Sequence, residues 1–163
     1  IDTEGVKGNA ERKSDLNSHF MELDLRSPRW NGFGGTIELN NVAGTSNDVG
    51  RLGIYYLPKF DWLTKNTLFI FFKYFLMESD GEGSQFSFAW NYVLKDFLQG
   101  RISIGGFIDW NFKSGATIDT NIVSDTQLRI RLIEKLSFLL EYRHNEFLGA
   151  NRDGVGLGLQ YKF

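Results

Sequence analysis

Residues 154–163 read GVGLGLQYKF, and the alternation within this segment decides how the rest of the chain is read. Counting back from Phe163, the residues Tyr161, Leu159, Leu157 and Val155 are apolar at every second position. Lys162, Gln160, Gly158, Gly156 and Gly154 occupy the positions between them. A β-strand sends successive side chains to opposite faces, so this segment forms a strand with one oily face and one small or polar face. In a soluble sheet the oily face packs on a core. In an outer-membrane barrel it meets lipid, the other face lines the interior, and an aromatic at the strand end sits at the membrane interface.

The same period of two runs through the chain. From His19 to Arg26, Met21, Leu23 and Leu25 oppose Phe20, Glu22, Asp24 and Arg26; then Phe33, Ile37 and Leu39 oppose Gly34, Thr36 and Glu38. Leu52, Ile54 and Tyr56 oppose Arg51, Gly53 and Tyr55 until Pro58 ends the run. In TLFIFFKYFLM, Leu68, Ile70, Phe72, Tyr74 and Leu76 face one way and Phe69, Phe71, Lys73 and Phe75 the other. Phe86, Phe88, Trp90 and Tyr92 oppose Gln85, Ser87, Ala89 and Asn91, and Ile104, Ile108, Trp110 and Phe112 oppose Ser103, Phe107, Asp109 and Asn111. Leu128, Ile130 and Leu132 oppose Gln127, Arg129 and Arg131. Leu136, Phe138, Leu140 and Tyr142 oppose Ser137, Leu139, Glu141 and Arg143. With the tail this gives about nine strands of roughly 8–11 residues, the length that crosses a bilayer when tilted.

Composition agrees with this reading. The 163 residues make one domain. No uninterrupted apolar run reaches the ~20 residues of a membrane helix. Eighteen Gly against 2 Pro suits strands joined by tight turns, and the absence of Cys excludes disulfide scaffolds and thiolate metal sites. A net charge of -2 gives no footprint for nucleic acid.

The connections fall into two alternating sets. SPRWNG, PKFDWLTKN, LKDFLQG and IEK form one; AGTSND, ESDGEG, KSGATIDTNIVSD and NEFLGANRD form the other, more polar and including the longest. If Phe163 ends at the periplasmic rim, parity puts the first set on the periplasmic side and the second outside the cell. The expectation is therefore an all-β, transmembrane, antiparallel up-and-down β-barrel in a bacterial outer membrane. Single-chain barrels have even strand numbers, so ten strands are expected, with eight as the alternative. Residues 1–15 supply a polar arm or a poorly patterned first strand. Outer-membrane lipid and, through the C-terminal strand, the barrel-assembly machinery are the expected partners, with a small solute as a further one; the oligomeric state is not legible.

Parity assigns Phe20, Glu22, Asp24, Arg51, Tyr55, Phe69, Phe71, Lys73, Phe107, Asp109, Arg129, Arg131, Glu141 and Arg143 to the interior. It assigns Phe72, Tyr74, Phe88, Trp90, Tyr92, Trp110, Phe138, Tyr142, Tyr161 and Phe163 to the membrane. Interior charges either pair and plug a narrow barrel or, together with aromatic faces, line a path for a flat, partly polar solute.

Three stretches carry a family resemblance: HFMELDLRSPRWNGFGGTIELNN, NTLFIFFKYFLM followed by FSFAWNYVLKDFLQGRISIGGFIDWNF, and LEYRHNEFLG with GVGLGLQYKF. They resemble hairpins of the Tsx-like nucleoside-specific outer-membrane channels over most of Phe20 to Phe163, in aromatic and acidic alternation and in turn spacing. The chain is shorter than that family usually is, as if a hairpin after Pro58 were absent. The resemblance implies a narrow pore for nucleosides lined by aromatic and ionisable residues.

An enzymatic reading finds less to stand on. His144 lies near Glu141 and Glu146, but no Ser follows it, so no nucleophile is assigned. His19 has no metal partners in view. GVGLGL precedes no helix and cannot cradle a phosphate, and ESDGEG and NIVSD lack calcium-ligand spacing and read as solvated loops. No catalytic residue, metal or cofactor is expected. A closed barrel serving adhesion or a partner complex and a soluble lipocalin-like barrel are the alternatives to a channel.

Overall fold

A computed structural model describes residues 20–42, 49–79, 83–113, 120–148 and 152–162. Among these residues nine antiparallel strands form one sheet in sequence order: β1 (Phe20–Arg26), β2 (Phe33–Val42), β3 (Val49–Tyr56), β4 (Leu68–Glu78), β5 (Gly83–Val93), β6 (Ile102–Lys113), β7 (Thr120–Arg131), β8 (Leu136–Asn145) and β9 (Asp153–Tyr161). Every strand pairs with its chain neighbour, so the sheet is a simple up-and-down meander whose edges are β1 and β9. The segment expected to supply a tenth strand, and Phe163, lie outside the described residues.

Local chemistry explains the hairpins. Asn31 and Gly32 both have positive φ (49° and 91°), and Trp30 and Phe33 exchange backbone hydrogen bonds around them. This is the mirror-image two-residue turn whose twist matches that of the strands, and Asn-Gly is the dipeptide that adopts it most easily. The β3–β4 connection contains a short helix, α1 (Asp61–Lys65), that buries Leu63 and leaves Trp62 exposed.

Two departures from expectation bear on the interior face. β7 begins at Thr120, so NIVSD is strand and not loop; Asn121 to Asp125 pair with Asn111 to Phe107. Its polar residues resembled loop composition because this strand turns polar side chains to the interior. The second departure is a β-bulge: between Leu52 and Gly53 on β3 the register on β4 skips from Met77 to Phe75. The extra residue reverses the parity beyond Leu76, which brings Glu78 onto the face that carries Phe75. A bulge leaves no mark in a simple alternation.

The sheet is inverted relative to a soluble one. Its buried residues include Thr36, Glu38, Gln85, Ser87, Asp125 and Ser137, beside the apolar Val49, Tyr55, Phe71 and Phe75. Its opposite face exposes Leu23, Leu25, Ile37, Leu39, Leu52, Ile54, Tyr74, Leu140 and Tyr142, and on β9 Val155, Leu157 and Leu159 are 74%, 73% and 68% exposed. Across that apolar face runs a ladder of rings: Phe33 on Tyr56 at 4.4 Å, Phe72 on Phe88 at 5.1 Å, Phe86 on Trp110 at 5.5 Å and Phe88 on Trp90 at 5.6 Å.

The polar face is concave. In a flat sheet β1 and β4 would lie about 14 Å apart, yet Lys73 Nζ on β4 donates to Asp24 Oδ2 on β1 at 3.3 Å, and the Arg26 guanidinium on β1 lies 4.5 Å from the Phe71 ring centre. The sheet therefore curls with its polar side inward.

Candidate functional site

The concave face carries two charged clusters. The first is built on β1 to β4. Glu38 is 3% exposed and accepts from Lys73 Nζ at 2.6 Å, Arg51 Nη1 at 2.9 Å and Asn40 Nδ2 at 3.2 Å. Arg51 reaches on to Glu78 with its Nε at 2.8 Å. Asp24 accepts from Arg26 Nη2 at 2.6 Å and from Thr36 Oγ1 at 2.8 Å, as well as from Lys73. Strand register sets these meetings: Asp24 is opposite Glu38, Glu38 opposite Arg51, and Arg51 opposite Glu78. Two carboxylates face one another across β1 and β2, so the site holds together only because Lys73 and Arg51 lie between carboxylates.

Glu22, Asp24 and Glu38 place carboxylate oxygens within 4.8 Å of one another, but Lys73 already fills the role a cation would take beside Asp24 and Glu38. Tyr55 closes the cluster on the side of the first turn set. Its hydroxyl donates to the Ser27 carbonyl at 2.6 Å, its ring lies over Gly34, and Phe71 packs 5.8 Å away. Phe69 continues the aromatic row at 6.4 Å from Phe71 and is itself exposed.

The second cluster lies on β6 to β9, near the first set of turns. Register places Ser103 beside Arg129, Gly105 beside Gln127, Gln127 beside Glu141, and Arg131 beside Ser137. Gln127 Nε2 donates to Glu141 Oε2 at 3.0 Å, and Asp125 stands opposite Arg143. Gly154, Gly156 and Gly158 of β9 face Arg143, Glu141 and Leu139; a Cβ at Gly154 would meet nothing within 4 Å. These glycines leave space beside long charged neighbours. Two cavities of about 300 and 260 Å³ open along this half, and both are lined by Asn91, Ser103 and Arg129.

The expected interior residues thus divide. Glu22, Asp24, Arg51, Tyr55, Phe71 and Lys73 are brought together, with Phe69 at their margin. Phe107 and Asp109 of β6 lie between the two groups, opposite Asp125 and Val123. Arg129, Arg131, Glu141 and Arg143 belong to the second cluster. Phe20 takes its place in β1 opposite Val42, and its side chain lies outside the described residues. Sequence reading left Glu78 in the ESDGEG loop, whereas it ends β4 and reaches the inner face through the bulge; it put Thr36 on the inner face but gave it no role before its partner Asp24 was located. Of the residues expected to face the membrane, Tyr74, Tyr92, Tyr142 and Tyr161 are exposed; Phe72, Phe88, Trp90, Trp110 and Phe138 are half-buried within the outer apolar face.

On the outer face His144 Nδ1 lies 2.8 Å from Asp153 Oδ1, which also accepts from the Tyr142 hydroxyl at 2.6 Å. Ser124 stands opposite His144 in the β7–β8 register, a neighbour the linear sequence does not announce. No hydrogen bond joins them among the described residues, and His144 Nε2 lies 3.9 Å from Glu146. This is a carboxylate-held histidine without an engaged nucleophile. Comparison with protein-family models, curated proteins and solved structures finds no match to this chain.

Proposed function

We propose that the protein is a transmembrane β-barrel of a bacterial outer membrane, forming a narrow channel for small polar or aromatic solutes such as nucleosides. The observation that carries this reading is the inversion of polarity. A continuous band of exposed Leu, Ile, Val and aromatic side chains surrounds a concave face of charged and hydroxyl side chains. Soluble proteins rarely expose apolar patches above a few hundred Å², so this distribution argues against a lipocalin-like barrel and suits lipid outside and water inside. In hydrocarbon the unpaired backbone groups of β1 and β9 would cost several kcal/mol each. The reading therefore requires the sheet to close, with β1 meeting β9 directly or through a further strand. An even count, and with it ten strands, needs the further strand.

The interior supports a selective path more than a wide pore. Phe69 offers an exposed ring face beside the carboxylates and cations of the first cluster, backed by the buried rings of Phe71 and Tyr55, a combination suited to stacking a planar base and hydrogen-bonding its polar edge. The resemblance to Tsx-like hairpins points the same way. A closed, ion-paired barrel is the second reading, favoured by the bridges from Lys73 to Asp24 and Glu38, which tie β4 to β1 and β2. Planar-bilayer recording of the refolded chain separates them. The channel reading expects discrete steps that nucleosides reduce in a dose-dependent way; a silent bilayer containing folded, heat-modifiable protein would leave the closed barrel.

A further inference from the structure

The cavity of about 260 Å³ at the first-turn end of the concave face is lined by Arg101, Arg129, Arg131, Lys135 and Lys162, against the single carboxylate of Glu134. None of these five cations makes an ion pair among the described residues, whereas Arg51 and Lys73 of the first cluster are each held by two carboxylates. Arg129 Nε is shut off from solvent and has no hydrogen-bond partner among the described residues. Arg129 lines both this cavity and the adjoining one of about 300 Å³. Ser103 and Ser137 add hydroxyls to the same wall, and Ser137 is itself buried.

Five like charges around one small cavity repel one another, and a buried guanidinium nitrogen without an acceptor forfeits a hydrogen bond. A ligand that brings negative charge and several acceptor oxygens removes both costs at once. Arginine forks and serine hydroxyls are the groups that recognise phosphate and carboxylate oxygens. We infer that this cavity is a binding site for the oxyanion group of a small solute, a phosphate or carboxylate, placed in series with the aromatic and acidic cluster on β1 to β4. Register puts Arg129 and Arg131 on the concave face beside Ser103 and Ser137, and all five cations line one cavity there, which favours a dissolved anion over the headgroup of a surrounding lipid. The site sets a cationic cavity beside the ion-paired first cluster, so a solute with a planar polar body and an anionic group would engage both. This inference deepens the channel reading, and its test is chosen to be independent of conductance.

The test is titration of inorganic phosphate into the folded full chain in a zwitterionic detergent, read by calorimetry and by phosphorus NMR line broadening. The parent protein is expected to bind saturably, with R129Q and K162Q each weakening binding about tenfold and the distant surface variant K59Q leaving it unchanged. Equal affinity in parent, R129Q and K162Q, or no saturable binding by parent protein that is folded by its heat-modifiable migration, would overturn the site. In bilayers the same R129Q should shift the reversal potential toward cations. Phosphate binding lost in R129Q together with a silent bilayer would keep the site and reject the channel. Conductance whose selectivity R129Q leaves untouched would reject the site and keep the channel.

Discussion

Neutralising Glu38 tests the reasoning about the first cluster most directly. Its carboxylate is almost wholly buried and accepts from Lys73, Arg51 and Asn40, so Glu38→Gln removes the charge while keeping shape and one acceptor. Removing one partner from a buried ion pair costs about 3–5 kcal/mol when the other charge is stranded. Here neither cation is fully stranded: Lys73 keeps Asp24 at 3.3 Å and Arg51 keeps Glu78 at 2.8 Å. Their side chains are also 13% and 17% exposed, so some water reaches them. The expected loss is therefore about 2–3 kcal/mol, below the full penalty of a stranded charge but above the roughly 0.2–1 kcal/mol of an exposed pair. Urea unfolding in detergent micelles, followed by tryptophan emission, measures it. A double-mutant cycle with Lys73→Met isolates the pairwise part, expected at about 1.5–3 kcal/mol. A Glu38→Gln loss below about 0.5 kcal/mol, or a coupling energy near zero, would refute the claim that this network holds the concave face together.

Three further outcomes follow from the same geometry. Leu157→Arg on the outer face should cost about 2–4 kcal/mol in lipid if the strand crosses a bilayer; on a soluble protein a residue 73% exposed would tolerate the change within about 0.5 kcal/mol, and folding yield into vesicles distinguishes the two. A Cβ at Gly34 would come within 2.6 Å of the Tyr55 ring, so Gly34→Val should displace that ring and destabilise by about 1–3 kcal/mol. The same substitution made on a Tyr55→Ala background, measured by urea titration, should recover most of the loss. At Gly53 a Cβ would run into the backbone of Tyr74 and Phe75. Gly53→Ala is therefore expected to disturb the bulge and cost about 1–3 kcal/mol, and a cycle with Glu78→Gln should show the two effects to be non-additive.

The sequence alone determined the strands and their two-sided polarity, because a strand writes its two faces into alternate residues and nearly every segment between Phe20 and Tyr161 carries that alternation. It also placed a connection at SPRWNG, where the structure forms the Asn31-Gly32 turn. The start of β7 escaped it, because polar residues that face an interior have the composition of a loop. The bulge after Phe75 escaped it as well, and with it the partnership of Glu78 and Arg51. Which charges meet was decided by the tertiary structure alone. Alternation says that Asp24, Glu38, Lys73 and Arg129 share a face, but only strand register and the curl of the sheet set distances between groups several strands apart. That curl draws Lys73 of β4 to Asp24 of β1 and, among the described residues, leaves Arg129 Nε without an acceptor beside a cavity, since a charge is neutralised by its neighbours in space, and neighbours across a sheet are remote in sequence.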